Sequence, residues 1–173
     1  LMLRARRGSP YCAYPRLCRS FVDVPGAVRA VLPAGGLSLS ATDPVFTRLD
    51  FADERLGGSS GGRLFQLLRI ERGYTCGARS GIVETLEVGP WFAQTSVRAN
   101  VTLESLELLR DQIRNYAATF TQDDVAVTQN QIIKGNTRAF ESLNAKLGLL
   151  RRMSRLGLPP DFLERDQATL LGA

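Results

Sequence analysis

The amino-acid sequence predicts an α+β domain, a mainly antiparallel sheet with helices packed on one of its faces. Predicted strands come in adjacent pairs joined by short connections, which favours antiparallel pairing over the strict βαβ alternation of a parallel sheet. Each strand pair is followed by two segments with apolar residues at helical spacing. Hydrophobic residues make up 44% of the 173 positions, enough for one domain with a substantial core.

The first two strands are predicted on either side of a Pro-Gly dipeptide. Phe21–Val24 and Ala27–Leu32 are short apolar runs, and Pro25-Gly26 lies between them. Proline fixes φ and glycine accepts a positive φ, so this dipeptide favours a tight turn. A loop is expected from Ala34 to Ser40.

Two helices are predicted next. Asp43-Pro44 supplies an oxygen acceptor for a helix cap and a proline suited to a first turn. Apolar residues then recur at helical spacing, namely Val45, Phe46, Leu49, Ala52 and Leu56. Gly57 is expected to end this helix in a left-handed conformation. A second helix is predicted from Arg63 to about Arg72, with Gly73 as its stop.

The second strand pair and a third helix follow in the same order. Tyr74–Ser80 and Trp91–Val101 are predicted strands, the latter rich in β-branched and aromatic residues. Thr102 is expected to cap a helix that runs to about Thr119. Thr121, with Asp124 three residues later, resembles a capping box and predicts the start of another helix.

This fourth helix has enough apolar periodicity to extend to Arg155. Glycine is unfavourable inside a helix, so we expect a break near Gly135. Its later apolar face is expected to contain Phe140, Leu143, Leu147 and Leu150. Leu158-Pro159-Pro160 should end it, and a last helix is predicted from Asp161 to Leu171.

The excess positive charge falls at the start of the chain. Of 22 basic residues, five arginines lie in residues 1–19, which contain no acid, and the other 17 face all 17 acidic residues. A nucleic-acid-binding domain concentrates positive charge on its folded surface, so nucleic acid is not expected as a partner. Residues 1–20 are interpreted as a basic leader or linker, with a mitochondrial presequence as the alternative. No apolar stretch approaches the roughly 20 residues that span a bilayer, so no membrane span is expected.

The chain contains no histidine, which removes most catalytic arrangements. Neither Cys76 nor any serine has a histidine base, and a third class of function, an independent enzyme using Cys76 or acids, is disfavoured. Cys12, Cys18 and Cys76 supply at most three of the four ligands of a structural zinc site, so free thiols are expected; the alternative is a Cys12–Cys18 disulfide in an oxidising compartment. The turn GGSSGGR lacks the lysine of a phosphate-binding loop and is interpreted as a close turn between helices. No catalytic residue, metal or cofactor is therefore expected in this chain.

A series of short motifs runs in order from about Phe21 to Leu171. They are Asp23-x-Pro25-Gly26-Ala27-Val28, Asp43-Pro44, Leu56-Gly57-Gly58, Arg63-Leu64, Leu68-Arg69, Gly73-Tyr74-Thr75-x-Gly77, Gly89-x-x-Phe92, Glu141-Ser142 and Gly157-Leu158-Pro159. Together they resemble the non-catalytic C-terminal half-domain of the insulinase and pitrilysin-like zinc metallopeptidases, the mitochondrial processing peptidase type. In that family the catalytic half binds zinc through two histidines of an H-x-x-E-H helix. A chain without histidine resembles the other half.

The resemblance implies a peptide contact at Arg69. The family's non-catalytic half carries an arginine on this helix and a tyrosine seven residues later, and both reach toward bound peptide. This chain keeps the arginine but has Cys76 at the tyrosine position. Tyr74 lies two residues earlier, where strand alternation would put it on the same face, about 6.6 Å away. Substrate binding is therefore expected at Arg69 and Tyr74; the alternative is a surface Arg69 paired with Glu71.

The resemblance also implies a function. The chain would be an inactive domain or subunit of a zinc metalloendopeptidase, not an enzyme on its own. It would help enclose and bind peptide opposite an H-x-x-E-H half, which would supply the zinc, in a heterodimer or on one chain. The alternative is a scaffold subunit of a larger complex, like respiratory-chain core proteins. Against the family pattern, residues 21–173 would form a single domain that lacks its last helix segment and final strand.

Overall fold

The computed structural model describes residues 20–138 and 140–172. Its sheet contains three antiparallel strands, β1 (Arg29–Leu37), β2 (Thr75–Ile82) and β3 (Pro90–Arg98). Strand β3 lies in the middle, with β1 on one side and β2 on the other. The α+β class and the antiparallel pairing predicted from the sequence are confirmed.

The described residues form six α-helices. They are α1 (Phe46–Asp53), α2 (Arg63–Phe65), α3 (Thr102–Thr119), α4 (Gln122–Arg138), α5 (Leu143–Leu156) and α6 (Phe162–Leu171). Two of them continue as wider π-helical turns, α1 through Glu54–Gly58 and α2 through Gln66–Glu71. A 3-10 turn, Ala99–Val101, leads from β3 into α3. No described helix has the length and apolar content that a membrane crossing requires.

The core lies between one face of the sheet and the helices. Ala93 and Val97 of β3 are fully buried there, against Leu64 and Leu68 of the α2 segment and Leu109 of α3. Each of the valine and leucine side chains contributes on the order of 2 kcal/mol when it is transferred from water to the core. In the part of the chain that the structure describes, the strand side chains on the opposite face are partly or fully exposed, and they alternate with the buried ones.

The Pro-Gly turn near the start is confirmed, but the strand predicted before it is wrong. Gly26 has φ +79°, and the N–H of Ala27 donates to the carbonyl of Val24 at 3.1 Å. Phe21–Val24 forms no strand and does not pair with the free edge of β1. Its apolar side chains are exposed instead.

Strand β1 extends through residues that were predicted as a loop. Gly35 pairs with Phe92 and Leu37 with Pro90, so the ladder reaches the far end of β3. Pro33 is tolerated inside the strand because β1 is at the edge of the sheet, where one side of the backbone needs no partner. The ladder with β3 overrides the local loop signals.

The first helix begins later than predicted, at Phe46 with Val45 as an N-cap that has no side-chain hydrogen bond, and it also ends differently. A carboxylate oxygen of Asp43 accepts from the N–H of Val45 at 2.8 Å, ahead of α1. Gly57 does not adopt the expected left-handed conformation. It is needed for space, since a Cβ there would lie 2.5 Å from the backbone nitrogen of Ser80 in β2. Gly73 does end its helix, with φ +64°.

The helices after β3 have the predicted order with two corrections. Thr102 does not cap α3; its hydroxyl donates to the carbonyl of Ala99 at 2.8 Å. The break in the long helical region comes after Arg138, because Ser142 caps α5 by accepting from the N–H of Ala145, while Gly135 remains helical. The predicted apolar stripe is exposed, at Phe140, Leu143, Leu147 and Leu150.

Candidate functional site

Arg69 lies at the end of the α2 segment, where the chain turns into β2. Its neighbour Leu68 is fully buried in the core and fixes this part of the helix. The carbonyl of Leu68 accepts from the N–H of Tyr74 at 2.9 Å, and the carbonyl of Arg69 accepts from the N–H of Gly73 at 3.2 Å. These bonds close the helix end and bring the first residues of β2 beside the Arg69 side chain.

The Arg69 guanidinium is held from two sides and keeps its charge uncompensated. One Nη donates to the backbone carbonyl of Cys76, and the group lies over the ring of Phe65 at 5.0 Å. Among the described residues, no carboxylate lies within ion-pair distance of it, so the alternative pairing with Glu71 is not formed. Because a guanidinium has five N–H donors, several remain available to a ligand.

Tyr74 points away from Arg69, toward α3. It packs against the core, and its hydroxyl is hydrogen-bonded to Glu104, which also pairs with Arg72 at 3.6 Å. The hydrogen bond to Glu104 raises the pKa of the Tyr74 hydroxyl above its usual value of 10.0. The structure therefore does not bring the two predicted substrate contacts together.

A bulge at the start of β2 explains why Tyr74 and Cys76 do not follow the alternation of faces that a regular strand would give. Tyr74 precedes β2, and the pairing register with β3 shifts between Thr75 and Ala78. Such a shift turns the intervening residues out of the regular alternation of faces. Cys76 lies within it as an exposed free thiol, with an Nη of Arg29 at 3.8 Å from its sulfur.

A buried ion cluster near the glycine-rich turn was not recognised as such in the sequence. Asp124 accepts from Nε of Arg55 at 2.7 Å, from a guanidinium nitrogen of Arg63, and from the backbone and hydroxyl of Thr121 at 2.9 Å each. Burial alone would raise the pKa of Asp124, but these hydrogen bonds outweigh it and hold the pKa well below the usual 3.8. The capping-box spacing pointed to Thr121 and Asp124, whereas nothing local pointed to the arginines.

A cavity of about 570 Å³ lies between the sheet and the segment from the glycine-rich turn to Phe65. Its walls come from the glycine-rich turn, from Phe65 and from all three strands, at Val31, Gly57, Gly58, Ser59, Ser60, Gly77, Ala78, Arg79, Gln94, Thr95 and Ser96. Within the described ranges, no group of three or more acidic or cysteine side chains is placed to hold a metal ion.

A family model and a solved structure that resemble this chain both point to the same family. Residues 34–132, more than half of the chain, match the model of the family described as the peptidase M16 inactive domain. No curated protein matches the chain. The fold is similar to the crystal structure of the peptidase M16 inactive domain from Pseudomonas fluorescens, with a TM-score of 0.73 and 25% identity over 83% of this chain and 35% of that one.

Two further structures share the fold at lower identity. A protease from Helicobacter pylori gives a TM-score of 0.72 at 14% identity, over 88% of this chain and 37% of that one. The inactive peptidase domain of a candidate zinc protease from Bordetella parapertussis gives 0.66 at 15%, over 84% and 79%. The chain spans about a third of the length of the Pseudomonas and Helicobacter proteins. It belongs to the peptidase M16 inactive-domain family, the non-catalytic half to which its sequence motifs pointed.

Proposed function

We propose that this chain is the non-catalytic half of a zinc metalloendopeptidase and helps to enclose and bind peptide opposite an H-x-x-E-H half. Family membership and the absence of histidine support this assignment. The zinc belongs to the partner half, where it would activate water for hydrolysis. This chain forms part of the wall that encloses the peptide, helps to close the chamber, and contacts the peptide. The partner is either a separate subunit or part of the same polypeptide.

The observation that carries the proposal is the state of Arg69. Its guanidinium is exposed, fixed by Phe65 and the Cys76 carbonyl, and without a carboxylate partner among the described residues. A positioned guanidinium donates to peptide carbonyls or carboxylates without losing its charge. Because its orientation is set before ligand arrives, less side-chain entropy is lost on binding.

Tyr74 is the second proposed peptide contact, although it points away from Arg69. Its hydroxyl is engaged with Glu104. It reaches peptide only by exchanging that hydrogen bond for one to the ligand, so its contribution is smaller than that of Arg69. Cys76, at the position of the family tyrosine, is a weak donor and adds little.

Cleavage by the assembled pair tests the proposal. A catalytic H-x-x-E-H half of the family would be purified and mixed with this chain, and kcat/KM measured on an unfolded model peptide. We expect the chain to increase cleavage and Arg69→Ala to reduce kcat/KM about tenfold, the effect of one charge-assisted hydrogen bond. Arg48→Ala on α1, exposed and unpaired within the described part of the chain, is the matched control and should leave the rate unchanged.

The same assay separates the proposal from the scaffold alternative. Replacement of the family tyrosine by Cys76 favours that alternative, since it removes a strong hydrogen-bond donor from the site. If the two halves form a stable complex but cleavage is indifferent both to this chain and to Arg69→Ala, the peptide-binding role is wrong and the scaffold role stands.

A further inference from the structure

We propose that the uncovered face of the sheet binds an extended acidic peptide segment, which makes peptides with spaced carboxylates the preferred substrate class. The inference rests on the proposed peptide-binding function and adds the chemistry of the ligand. The face is called the open face below. It consists of the strand side chains that point away from the helices, at Arg29, Val31, Arg79, Phe92, Gln94, Ser96 and Arg98.

Strand alternation and register place these side chains together. In β3, Ala93, Thr95 and Val97 are buried against the helices, so Phe92, Gln94, Ser96 and Arg98 point the other way. Arg29 of β1 pairs directly with Arg98, Val31 with Ser96, and Arg79 of β2 with Gln94. Directly opposed residues of antiparallel strands share a face.

The charge of the open face has a single sign. The three strands contain three basic residues, Arg29, Arg79 and Arg98, and no acid. All three arginines are exposed and lie on the open face, and none has a carboxylate within ion-pair distance in the described part of the chain. Arg29 and Arg98 are direct cross-strand neighbours, an arrangement of like charges that destabilises a sheet.

Several arginines on the helix side of the fold are paired with carboxylates. Arg55 and Arg63 share Asp124, and Arg152 pairs with Glu84. An anionic ligand on the open face would relieve the repulsion between Arg29 and Arg98. The arginine is also the side chain best suited to hold a carboxylate, through two parallel N–H donors.

The spacing on the open face suits an extended peptide. The Arg29–Arg98 pair and Arg79, which pairs with Gln94, are separated by four residues along β3, about 13 Å at the rise of a strand. Carboxylates four residues apart on an extended peptide have the same separation. Between the two positions lie Val31, 68% exposed, and the cavity of about 570 Å³, which offer an apolar contact.

Arg79 is already oriented for this task. Its guanidinium lies over the ring of Phe92 at 5.8 Å. In the amide orientation that satisfies both groups, the oxygen of Gln94 accepts from Nη2 of Arg79 at 2.7 Å and from Nε at 3.1 Å. The cation is thereby held on the face without being neutralised.

The open face is continuous with the Arg69 site. Arg29 reaches the sulfur of Cys76 at 3.8 Å, and Arg69 donates to the carbonyl of the same residue. The open face and the Arg69 site therefore meet at Cys76. Nucleic acid is a poorer match, because the 17 basic residues outside residues 1–19 are balanced by 17 acids, so the described protein has no broad excess of positive charge.

Binding of labelled peptides to the full chain, followed by fluorescence anisotropy, tests the inference. Three unstructured probes share one sequence and differ at two positions four residues apart, which carry glutamate, glutamine or lysine. We expect the glutamate peptide to bind about fivefold tighter than the glutamine peptide, the effect of two or three exposed ion pairs, and the preference to fade with added salt. The lysine peptide should bind weakest.

Variants show where the preference comes from. Arg29→Gln with Arg98→Gln should bring the glutamate preference below about twofold. Arg151→Gln on α5 removes an exposed charge elsewhere and should leave it intact. Near-ultraviolet circular dichroism checks that each variant keeps its fold.

Each contrary outcome has a separate meaning. If the glutamate and glutamine peptides bind equally well to the wild-type chain, the acidic preference is wrong while peptide binding stands. If no probe binds and Arg69→Ala leaves cleavage by the assembled pair unchanged, the proposed function fails together with the inference. If a single-stranded oligonucleotide binds more tightly than the glutamate peptide and depends on the same two arginines, the open face is a nucleic-acid surface and the inference is overturned.

Discussion

Asp124 connects three segments that are distant in the sequence. It begins α4 together with Thr121 and accepts from Arg55 after α1 and from Arg63 at the start of α2. Its side chain is 5% exposed and those of both arginines are 19% exposed, so the interactions are only weakly screened. The carboxylate therefore fixes how α4 sits against the glycine-rich turn.

Replacing Asp124 should be costly. Asp124→Asn leaves two poorly hydrated guanidinium groups without a counter-charge, and we expect a loss of about 3 kcal/mol in the free energy of unfolding at pH 7. Urea unfolding followed by circular dichroism measures it. Asp111→Asn, which removes an exposed carboxylate beside Arg110, is the control and should leave the midpoint unchanged. Equal midpoints for both variants would show that the cluster contributes nothing to stability.

Gly57 sets a second residue-level constraint. A Cβ at this position would lie 2.5 Å from the nitrogen and 2.8 Å from the hydroxyl oxygen of Ser80. Gly57→Ala forces the helix end away from β2, and we expect a loss of about 3 kcal/mol by the same unfolding measurement. Gly36→Ala, at an exposed strand position with open space around it, is the matched control and should be neutral or slightly stabilising. A Gly57→Ala variant as stable as the wild type would mean that the close approach is not needed.

At the scale of elements, α5 is attached mainly through charge. Arg152 holds both carboxylate oxygens of Glu84, in the β2–β3 connection, at 3.0 Å from its Nε, and Arg155 approaches the same group at 3.5 Å. Leu156 is buried at the end of the helix, while its outer stripe of leucines is exposed. The helix thus depends on one polar anchor for its position.

Breaking that anchor should loosen α5 alone. In Glu84→Gln the amide cannot hold two guanidinium groups, and we expect amide protection in α5 to fall about fivefold while the sheet is unchanged. Hydrogen–deuterium exchange read by mass spectrometry resolves the two regions. Glu87→Gln, an exposed change in the same connection, should leave α5 as it is. Uniform loss of protection across the sheet as well would contradict a local anchor.

Local signals in the sequence located most elements but not their tertiary details. The turn at Gly26, the helix stop at Gly73 and the start of α4 at Thr121 depend on neighbouring residues and were predicted correctly. Long-range contacts decided the others. Pairing with β3 extends β1 to Leu37, and the approach of Ser80 gives Gly57 a different role. The bulge after Thr75, which separates Tyr74 from Arg69, has no sequence signal of comparable strength.

At the scale of the whole molecule, two buried carboxylates make stability depend on pH in opposite directions. Burial raises the pKa of Asp53 above 3.8, although hydrogen bonds from Trp91 and Ser80 oppose it. The folded state then binds more protons than the unfolded state above about pH 4, so this contribution falls as pH rises. Asp124, with its lowered pKa, contributes above that pH and loses its contribution as pH falls.

The free energy of unfolding should therefore decline on both the acidic and the neutral side of its maximum. We expect the free energy of unfolding to be highest near pH 4, with Asp53→Asn flattening the decline toward neutral pH and Asp124→Asn flattening the decline toward acid. Urea unfolding at a series of pH values, read by circular dichroism, gives the profiles. If the profiles of both variants run parallel to that of the wild type, neither the raised pKa of Asp53 nor the lowered pKa of Asp124 contributes to stability.

The order of the strands has a consequence for synthesis. Both outer strands, β1 and β2, depend on β3, which is translated after them. The three-stranded sheet can therefore form only after Arg98 has left the ribosome. Until then, the apolar faces of α1 and the α2 segment have no sheet to pack against. We expect nascent chains that end before this residue to expose apolar surface to chaperones, and the domain to fold only after its central strand has emerged.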